Sequence, residues 1–343
     1  MDARRALRWG SASLALALAM SFGASAAAQQ TFLLRISVEN VPSHFQAQTV
    51  QRFAQLVAQR SGGAIEVEYY DNARLFRDAD VLAALGRGDV EMAVPGIWQF
   101  DKIVPDTAAL MLPSVYARPV AVMRSLVDGP FGLAIGKRIE EAMGVKTLGR
   151  WLDLGKGELF ATRPIGGIDD IRGLTVRVAG GRGNEERMRA LGASPVSIPS
   201  PDLPAYLDRG LIGALLSTFE TIDSAGLDAH GLRSAFEDDE YYPFYIPLVS
   251  AQFWRRLPPR LQALLSDTWE EILPAARDLA VRAQEAARAH LVARGMRVAL
   301  PSPAEQDATR RLLLDQEAGM AQRLGVSQEA LVLLHDGLSS AKP

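Results

Sequence analysis

Apolar and polar positions along this chain follow two periods, one typical of β-strands and one typical of amphipathic α-helices. In the first third, the strand pattern occupies residues 32–38, 64–70 and 90–94, and the helix pattern occupies residues 46–60 and 79–85. Val50, Phe53 and Val57 share one face of the first helix. This β-α-β-α-β order predicts a parallel sheet with helices on its faces, and ligands in such folds bind at the carboxyl ends of the strands.

A second unit of the same kind follows, and the chain then returns to the first. Strands are predicted at residues 145–151, 159–162, 174–178, 195–198 and 211–216, with helices at residues 184–191 and 201–207. Residues 245–250 have the pattern of a strand that returns to the first unit. Residues 259–293 predict a long helix, broken or kinked near Pro274.

We therefore predict an α/β protein of two lobes. Residues 29–150 mainly form lobe 1, residues 151–244 mainly form lobe 2, and residues 245–343 form the return strand, a long bridging helix and C-terminal helices. Two lobes joined in this way suggest a clamp that closes around a ligand.

The first 28 residues have the pattern of a cleaved export signal. Arg4, Arg5 and Arg8 precede an apolar run over residues 12–22, and small residues follow up to Ala28. A membrane anchor needs roughly 20 apolar residues, which this run does not reach. The chain has no cysteine, which excludes a lipid anchor on cysteine, a zinc–thiolate centre and a cysteine nucleophile. We expect an exported, soluble, periplasmic protein.

Neither charge nor histidine content favours catalysis or nucleic-acid binding. The formal net charge is −3, and no basic patch with interleaved aromatic residues occurs. The four histidines show no metal-ligand spacing, and no nucleophile-elbow motif is present. The glycine-rich run over residues 180–184 lacks the lysine of a phosphate-binding loop, so we interpret it as a strand-to-helix turn. We expect no enzyme activity, no cofactor, no metal site and no nucleic-acid partner.

Arg177 is the residue with the clearest ligand chemistry. It lies in Gly-Leu-Thr-Val-Arg-Val-Ala at residues 173–179, a predicted strand, and Leu-Gly-Ala-Ser-Pro follows at residues 191–195. A guanidinium at a strand end can hold a carboxylate through two parallel hydrogen bonds. The alternative is a structural arginine paired with an internal acid.

Further fragments occur in order around this segment. They are Phe-Ala-Gln-Leu-Val at residues 53–57, Leu-Gly-Arg-Gly-Asp-Val-Glu-Met-Ala-Val at 85–94, Arg-Pro-Ile at 163–165 and Phe-Trp-Arg-Arg-Leu-Pro at 253–258. In order and spacing the chain resembles the DctP-type solute-binding proteins of tripartite ATP-independent periplasmic (TRAP) transporters.

The resemblance implies a two-lobed periplasmic-binding-protein fold, class II-like, with a long helix bridging the lobes. It also implies that the protein captures an organic acid and holds the carboxylate on Arg177. The acid would then pass to a TRAP-type membrane permease driven by an ion gradient.

The chain departs from the resemblance at two places. Where many relatives carry a second arginine, it has Gly157 beside Lys156. Lys156 either supplies a point charge to the ligand or is a solvated loop lysine. Where relatives carry an asparagine, this chain has the smaller Ser217.

Other pocket candidates follow the ends of predicted strands, and they are Glu39, Trp98, Trp151, Phe219 and Glu220. The two tryptophans either wall an apolar part of the ligand or pack in the core or hinge. The two glutamates either face a hydroxyl or cationic group of the ligand, or lie at a helix N-terminus or the surface. If either acid lines the pocket, a hydroxylated, amino-bearing or aromatic monocarboxylate fits better than a simple dicarboxylate.

Two other functions remain open at this level. A binding protein that serves another importer or a sensor would have the same two-lobed fold, because fold does not fix function. An exported hydrolase or lyase would turn over its ligand, and the sparse histidines argue against it.

Overall fold

The structure is a computed structural model that describes residues 30–340, and two large β-sheets organise this part of the chain. We call the region around each sheet lobe 1 and lobe 2. The predicted signal peptide, residues 1–28, lies outside the described residues. Within the described part, no helix combines the length and the apolar character needed to cross a membrane.

Lobe 1 is built on a five-stranded sheet. Its strands are β1 (Phe32–Ser37), β2 (Ile65–Tyr70), β3 (Met92–Ala93), β4 (Val145–Thr147) and β12 (Leu248–Ser250), in the order β2-β1-β3-β12-β4. β1 is parallel to β2 and β3, which confirms the parallel pairing predicted from the first segments. β12 is antiparallel to β3 and β4, so the predicted return strand to the first unit is also confirmed.

Lobe 2 is built on a six-stranded mixed sheet. Its strands are β6 (Gly157–Ala161), β7 (Thr175–Val178), β8 (Ser194–Ser197), β9 (Ala214–Ser217), β10 (Ser234–Tyr241) and β13 (Arg297–Ala299), in the order β13-β10-β6-β9-β7-β8. β7 is parallel to β8 and β9, whereas β6 is antiparallel to β9 and β10. A short antiparallel pair, β5 (Leu152–Asp153) and β11 (Phe244–Tyr245), lies where the chain crosses between the lobes in each direction.

Helices cover the sheets and connect the lobes. In residues 30–340 they are α1 (Phe45–Arg60), α2 (Asp78–Arg87), α3 (Val120–Asp128), α4 (Pro130–Met143), α5 (Arg182–Ala190), α6 (Leu203–Asp208), α7 (Phe219–Ser224), α8 (Ala251–Arg256), α9 (Pro259–Ala293), α10 (Pro303–Leu314), α11 (Glu317–Leu324) and α12 (Gln328–Ser340). The predicted apolar face of α1 is buried, because Val50, Phe53 and Val57 are almost inaccessible to solvent.

The long helix α9 contacts both lobes. In its first half, Trp269 packs edge-to-face against Phe53 of lobe 1, with ring centroids 5.7 Å apart. In its second half, Arg288 pairs with Glu237 of lobe 2 at 2.9 Å, and Gln284 accepts a hydrogen bond from the backbone N–H of Glu220. The helix continues through Pro274 without a break. The predicted bridging helix is therefore present as a single element.

Two of the sequence expectations differ from the structure. Residues 145–151 were expected to begin the second unit, but β4 pairs with β12 in the sheet of lobe 1, so that assignment is wrong. Position along the chain does not identify the partner of such a short strand. The strand β10 was not predicted, because its Glu-Asp-Asp-Glu run at residues 237–240 is typical of a solvated loop.

Two of the four acidic residues of β10, Asp238 and Glu240, are buried near one arginine. Arg187 Nε lies 2.6 Å from Glu240 Oε2, and both side chains are fully buried. Asp238 is also fully buried. Burial, followed by the nearby carboxyl groups of Glu240 and Glu158, raises the pKa of Asp238 well above its ordinary value, against the opposing effect of Arg187.

This raised pKa predicts a pH-dependent stability. The folded protein keeps a proton on Asp238 that the unfolded chain loses near about pH 4. The stabilisation is complete below that pH and is lost as the pH rises through the folded-state pKa. Asp238→Asn keeps the shape without the charge, so its gain in melting temperature should be larger at pH 8 than at pH 5. Asp169→Asn is the matched control, because the Asp169 side chain is 82% exposed. A gain that is equal at both pH values would contradict the assignment.

Candidate ligand-binding site

A cavity lies between the lobes, where strand ends from the two sheets face each other. It is lined by Glu39, Asn40, Asp78, Trp98, Leu154, Gly157, Arg177, Ala179, Ser200, Leu216, Ser217, Thr218, Thr221, Tyr241, Pro243 and Tyr245. Its volume is about 40 Å³, measured as the space open to the centres of water molecules. One water needs about 10–15 Å³ on this measure, so the cavity holds only a small group in this closed arrangement.

Arg177 projects from β7 into the wall of this cavity. Its side chain is 2% exposed. Its Nε donates to the carbonyl of Ile198 at 2.9 Å, and its Nη2 donates to Ser200 Oγ at 3.2 Å. No carboxylate in residues 30–340 forms an ion pair with it. Burial lowers the pKa of the guanidinium to about 10, partly opposed by Glu39, Tyr241 and Asp78. Arg177 is therefore charged at neutral pH and buried without an anion of its own.

Two carboxyl groups occupy the same cavity. Glu39 Oε2 accepts from the backbone N–H of Asp78 at 2.8 Å, so Glu39 satisfies the first turn of α2. Glu39 Oε1 accepts from the backbone N–H of Ser200 in lobe 2 at 3.2 Å. Burial and the adjacent Glu39 carboxyl raise the pKa of Asp78 well above its ordinary value. Asp78 therefore holds its proton above the pH at which a free aspartate would lose it.

Direct contacts between the lobes show that the cleft is closed. Besides the Glu39–Ser200 bond, Arg77 pairs with Asp202 at 2.8 Å near the surface. On the same face, Glu220 accepts from the backbone N–H of Phe45 at 3.0 Å and lies 2.7 Å from His44 Nε2. These bonds join α1 and the start of α2 in lobe 1 to α7 and the segment before α6 in lobe 2.

The glycine-rich run at the end of β7 is part of this closure. Gly181 has a φ of +84°, and a Cβ there would lie 2.5 Å from the carbonyl oxygen of Trp98 in lobe 1. Gly183 N–H donates to Asp101 Oδ2 at 3.0 Å, again across the cleft. The run is a strand-to-helix turn, as the sequence predicts, and α5 begins at Arg182. Its glycines allow the lobes to approach to backbone contact.

Four of the predicted site residues line the cavity, and they are Arg177, Glu39, Trp98 and Ser217. The other four lie outside it. Trp151 is buried against Phe244, with ring centroids 6.3 Å apart. Its carbonyl accepts hydrogen bonds from Arg277. It therefore belongs to the packing around the crossing strands.

Lys156, Phe219 and Glu220 also point away from the cavity. Lys156 pairs with Asp239 at 2.7 Å. Phe219 packs edge-to-face against Phe160, with ring centroids 5.0 Å apart. Glu220, in the first turn of α7, serves the interlobe contacts described above. These residues lie near the ends of strands in the sequence, but their side chains make the contacts described above and do not line the cavity.

The cavity contains residues that the sequence analysis did not single out as ligand contacts. Asp78 begins a helix, and Ser200 begins a short 3-10 helix, so neither carries a sequence signal. Tyr241 is the last residue of the unpredicted strand β10, and Tyr245 lies in the crossing strand β11. The hydroxyl of Tyr245 accepts from Asn40 Nδ2 at 2.8 Å, and that of Tyr241 accepts from Asn184 Nδ2 at 3.3 Å.

A closed two-lobed cleft with a buried, unneutralised arginine defines a protein that binds an anionic solute. The family model of the bacterial extracellular solute-binding proteins, family 7 (DctP), matches residues 36–316, and the chain belongs to that family. Members are solute-binding components of transport systems and not enzymes. The predicted TRAP-type solute-binding class and two-lobed fold are thus confirmed.

Similar proteins are found among both sequences and structures. The C4-dicarboxylate-binding periplasmic protein DctP of Rhodobacter capsulatus is 26% identical over 320 residues, which cover 93% of this chain and 94% of the relative. A TRAP periplasmic solute-binding protein from Desulfovibrio salexigens with bound orotic acid has a TM-score of 0.84 at 22% identity, covering 91% of this chain and 100% of that one. The sugar acid binding protein DctPAm from Advenella mimigardefordensis, in complex with galactonate, has a TM-score of 0.86 at 18% identity, covering 91% and 99%. The two structures show the shared fold.

The glycine contact gives a test of closure. Gly181→Ala should force the lobes apart, because the new Cβ meets backbone rather than a flexible side chain. We expect ligand affinity to fall by at least about tenfold, equivalent to about 1.4 kcal/mol. Gly226→Ala is the matched control, since Gly226 has a φ of +64° with no heavy atom within 4 Å of an added Cβ. Titration calorimetry with the organic acid that gives the largest thermal shift measures both. An equal loss in the two variants would show that backbone strain, not closure, is responsible.

Proposed function

We propose that this protein captures a carboxylate-bearing organic acid in the periplasm and delivers it to a TRAP-type membrane permease. The ligand enters the open cleft, its carboxylate pairs with Arg177, and the lobes close over it. Arg177, Glu39, Trp98 and Ser217 are the proposed ligand contacts from the sequence. Asp78, Ser200 and Tyr241 join them through their places in the cavity wall.

The single observation that carries this proposal is the environment of Arg177. A buried guanidinium without a counter-ion is unfavourable, because desolvation costs several kcal/mol per ion. The bonds to Ile198 O and Ser200 Oγ use Nε and Nη2. Nη1 has no hydrogen-bond partner among residues 30–340. A ligand carboxylate would supply both the missing charge and the missing acceptor.

The relatives support an acid as the ligand. The names of similar proteins specify C4-dicarboxylates for the Rhodobacter capsulatus protein, and orotic acid and galactonate for the two solved structures. Each of these ligands carries a carboxyl group, although the remainder of the molecule differs widely. The shared carboxyl group matches Arg177, the one cationic side chain among the described residues that line the cavity. The other parts of these ligands differ, so the rest of this protein's ligand must be inferred from its own cavity.

The family and the N-terminus support the proposed permease partner and compartment. Residues 1–28 have the pattern of a cleaved export signal, and the family is one of extracellular binding proteins. We propose that the mature chain works in the periplasm with lobes bounded as predicted, residues 29–150 and 151–244, and with residues 245–343 returning to lobe 1 and bridging the two. Closure of the lobes would create the surface that the permease recognises.

The anchor assignment predicts a large loss of binding in Arg177→Met. Removing one member of a buried charge pair costs about 2–5 kcal/mol, so Kd should rise by at least about 30-fold. Titration calorimetry would follow a thermal-shift screen of dicarboxylates, sugar acids, hydroxy acids and aromatic acids, since a ligand specific for the folded state raises the melting temperature.

Arg77→Met is the matched control for this prediction. It removes an interlobe arginine whose partner is Asp202 and which does not line the cavity. Its Kd should stay within about fivefold of the unmutated value, because exposed ion pairs contribute about 0–1 kcal/mol. Unchanged binding by Arg177→Met would refute the anchor.

A further inference from the structure

We propose that Glu39 and Asp78 form an acidic end of the cavity that selects hydroxylated monocarboxylates and rejects dicarboxylates. The proposal rests on the function proposed above, in which Arg177 holds the ligand carboxylate. It concerns the rest of the ligand, which the family and the neighbours leave undetermined.

The first argument is the distribution of charge in the cavity wall. Among the described residues that line it, Arg177 is the one cationic side chain, and Glu39 and Asp78 are the acidic ones. Lys156, the other candidate cation, pairs with Asp239 outside the cavity. A ligand with two carboxylates would therefore find a cation for the first and none for the second.

The second argument is the total charge after closure. Burial and the adjacent Glu39 carboxyl already raise the pKa of Asp78 well above its ordinary value, so this end of the cavity disfavours added negative charge. A monocarboxylate adds one negative charge to the closed cavity, where Arg177 can pair with it, and a dicarboxylate adds two. Like charges brought together in a buried site repel each other, which favours the monocarboxylate.

The third argument is hydrogen-bond complementarity. The Glu39 oxygens already accept one backbone N–H each, yet a carboxylate has about four acceptor sites, so they can still accept from a ligand. Trp98 lines the same cavity, and its buried Nε1 has no acceptor among residues 30–340. A hydroxyl group both donates and accepts, so it can serve a carboxyl group and an indole N–H. An ammonium group can only donate.

Matched pairs of ligands test the proposal directly. Each pair has the same carbon chain and differs only in a terminal CH₂OH or COO⁻ group: 3-hydroxypropanoate and malonate, 4-hydroxybutanoate and succinate, gluconate and glucarate. Titration calorimetry on the purified protein gives Kd for both members. In the pair that binds best, we expect the hydroxy acid to bind at least about tenfold tighter, because the second carboxylate meets Glu39 and Asp78.

Variants then assign the selectivity to these residues. The double variant Glu39→Gln, Asp78→Asn keeps the shapes of both side chains and removes both ionisable carboxyl groups, so the ratio of the two Kd values should shrink by several-fold. Glu39→Gln should act in the same direction, with an added loss from the weakened bond to Ser200 N–H. Asp202→Asn removes an interlobe carboxylate that does not line the cavity, and it should leave the ratio unchanged.

The outcomes separate this proposal from the proposed function. If Arg177→Met abolishes binding of both members but the dicarboxylate is the tighter ligand of the unmutated protein, the carboxylate anchor stands and the acidic-end proposal is refuted. If Arg177→Met leaves both members unaffected, the proposed function itself fails. A panel in which no hydroxy acid binds, or a ratio that the double variant and Asp202→Asn change equally, also overturns the acidic-end proposal.

Discussion

The buried charge of Arg177 is the constraint on which the rest of the cleft depends. A guanidinium in the interior requires hydrogen bonds for its N–H groups and an anion for its charge. Ile198 and Ser200 supply the first requirement in part, but no carboxylate in the described chain forms an ion pair with it. We propose that the solute supplies the missing anion.

This constraint also links binding to closure. Ser200 accepts from Arg177 through its Oγ and donates to Glu39 of lobe 1 through its backbone N–H. Arg177, Ser200 and Glu39 thus form one chain of hydrogen bonds across the cleft. A ligand that fixes the Arg177 side chain also restrains Ser200, and with it one of the contacts between the lobes. Domain closure around a ligand is a general mode of switching, and Ser200 provides one physical connection between the anchor and closure.

A second buried arginine shows why the first is different. Arg187 is as deeply buried as Arg177, but Glu240 pairs with it at 2.6 Å, and it packs on the ring of Tyr116. Arg187 and the acidic strand β10 are internally balanced and support lobe 2. The same residue type therefore has a structural role at position 187 and, in our proposal, a ligand-binding role at position 177, according to the presence of an internal carboxylate.

Much of the fold, but only part of the candidate site, could be predicted from the sequence. Local sequence pattern predicts the first three strands, the strand that carries Arg177 and the long helix, because strand alternation and helix periodicity are local properties. The strand β10 could not be predicted, since its buried acids become compatible with a sheet only beside Arg187. Asp78 and Ser200 reach the cavity through tertiary contacts, which no local motif records. Lys156 shows the opposite case, in which the sequence suggests a ligand contact that the cavity lacks. It lies beside the position where many relatives carry a second arginine, but it pairs with Asp239 instead.

A crystal structure of the protein with its tightest-binding hydroxy acid tests the central claim most directly. The account predicts that the ligand carboxylate lies within hydrogen-bond distance, about 2.7–2.9 Å, of the Arg177 guanidinium nitrogens in the closed cleft. A ligand bound in the cleft with its carboxylate on another group, and Arg177 still without an anion, would contradict it.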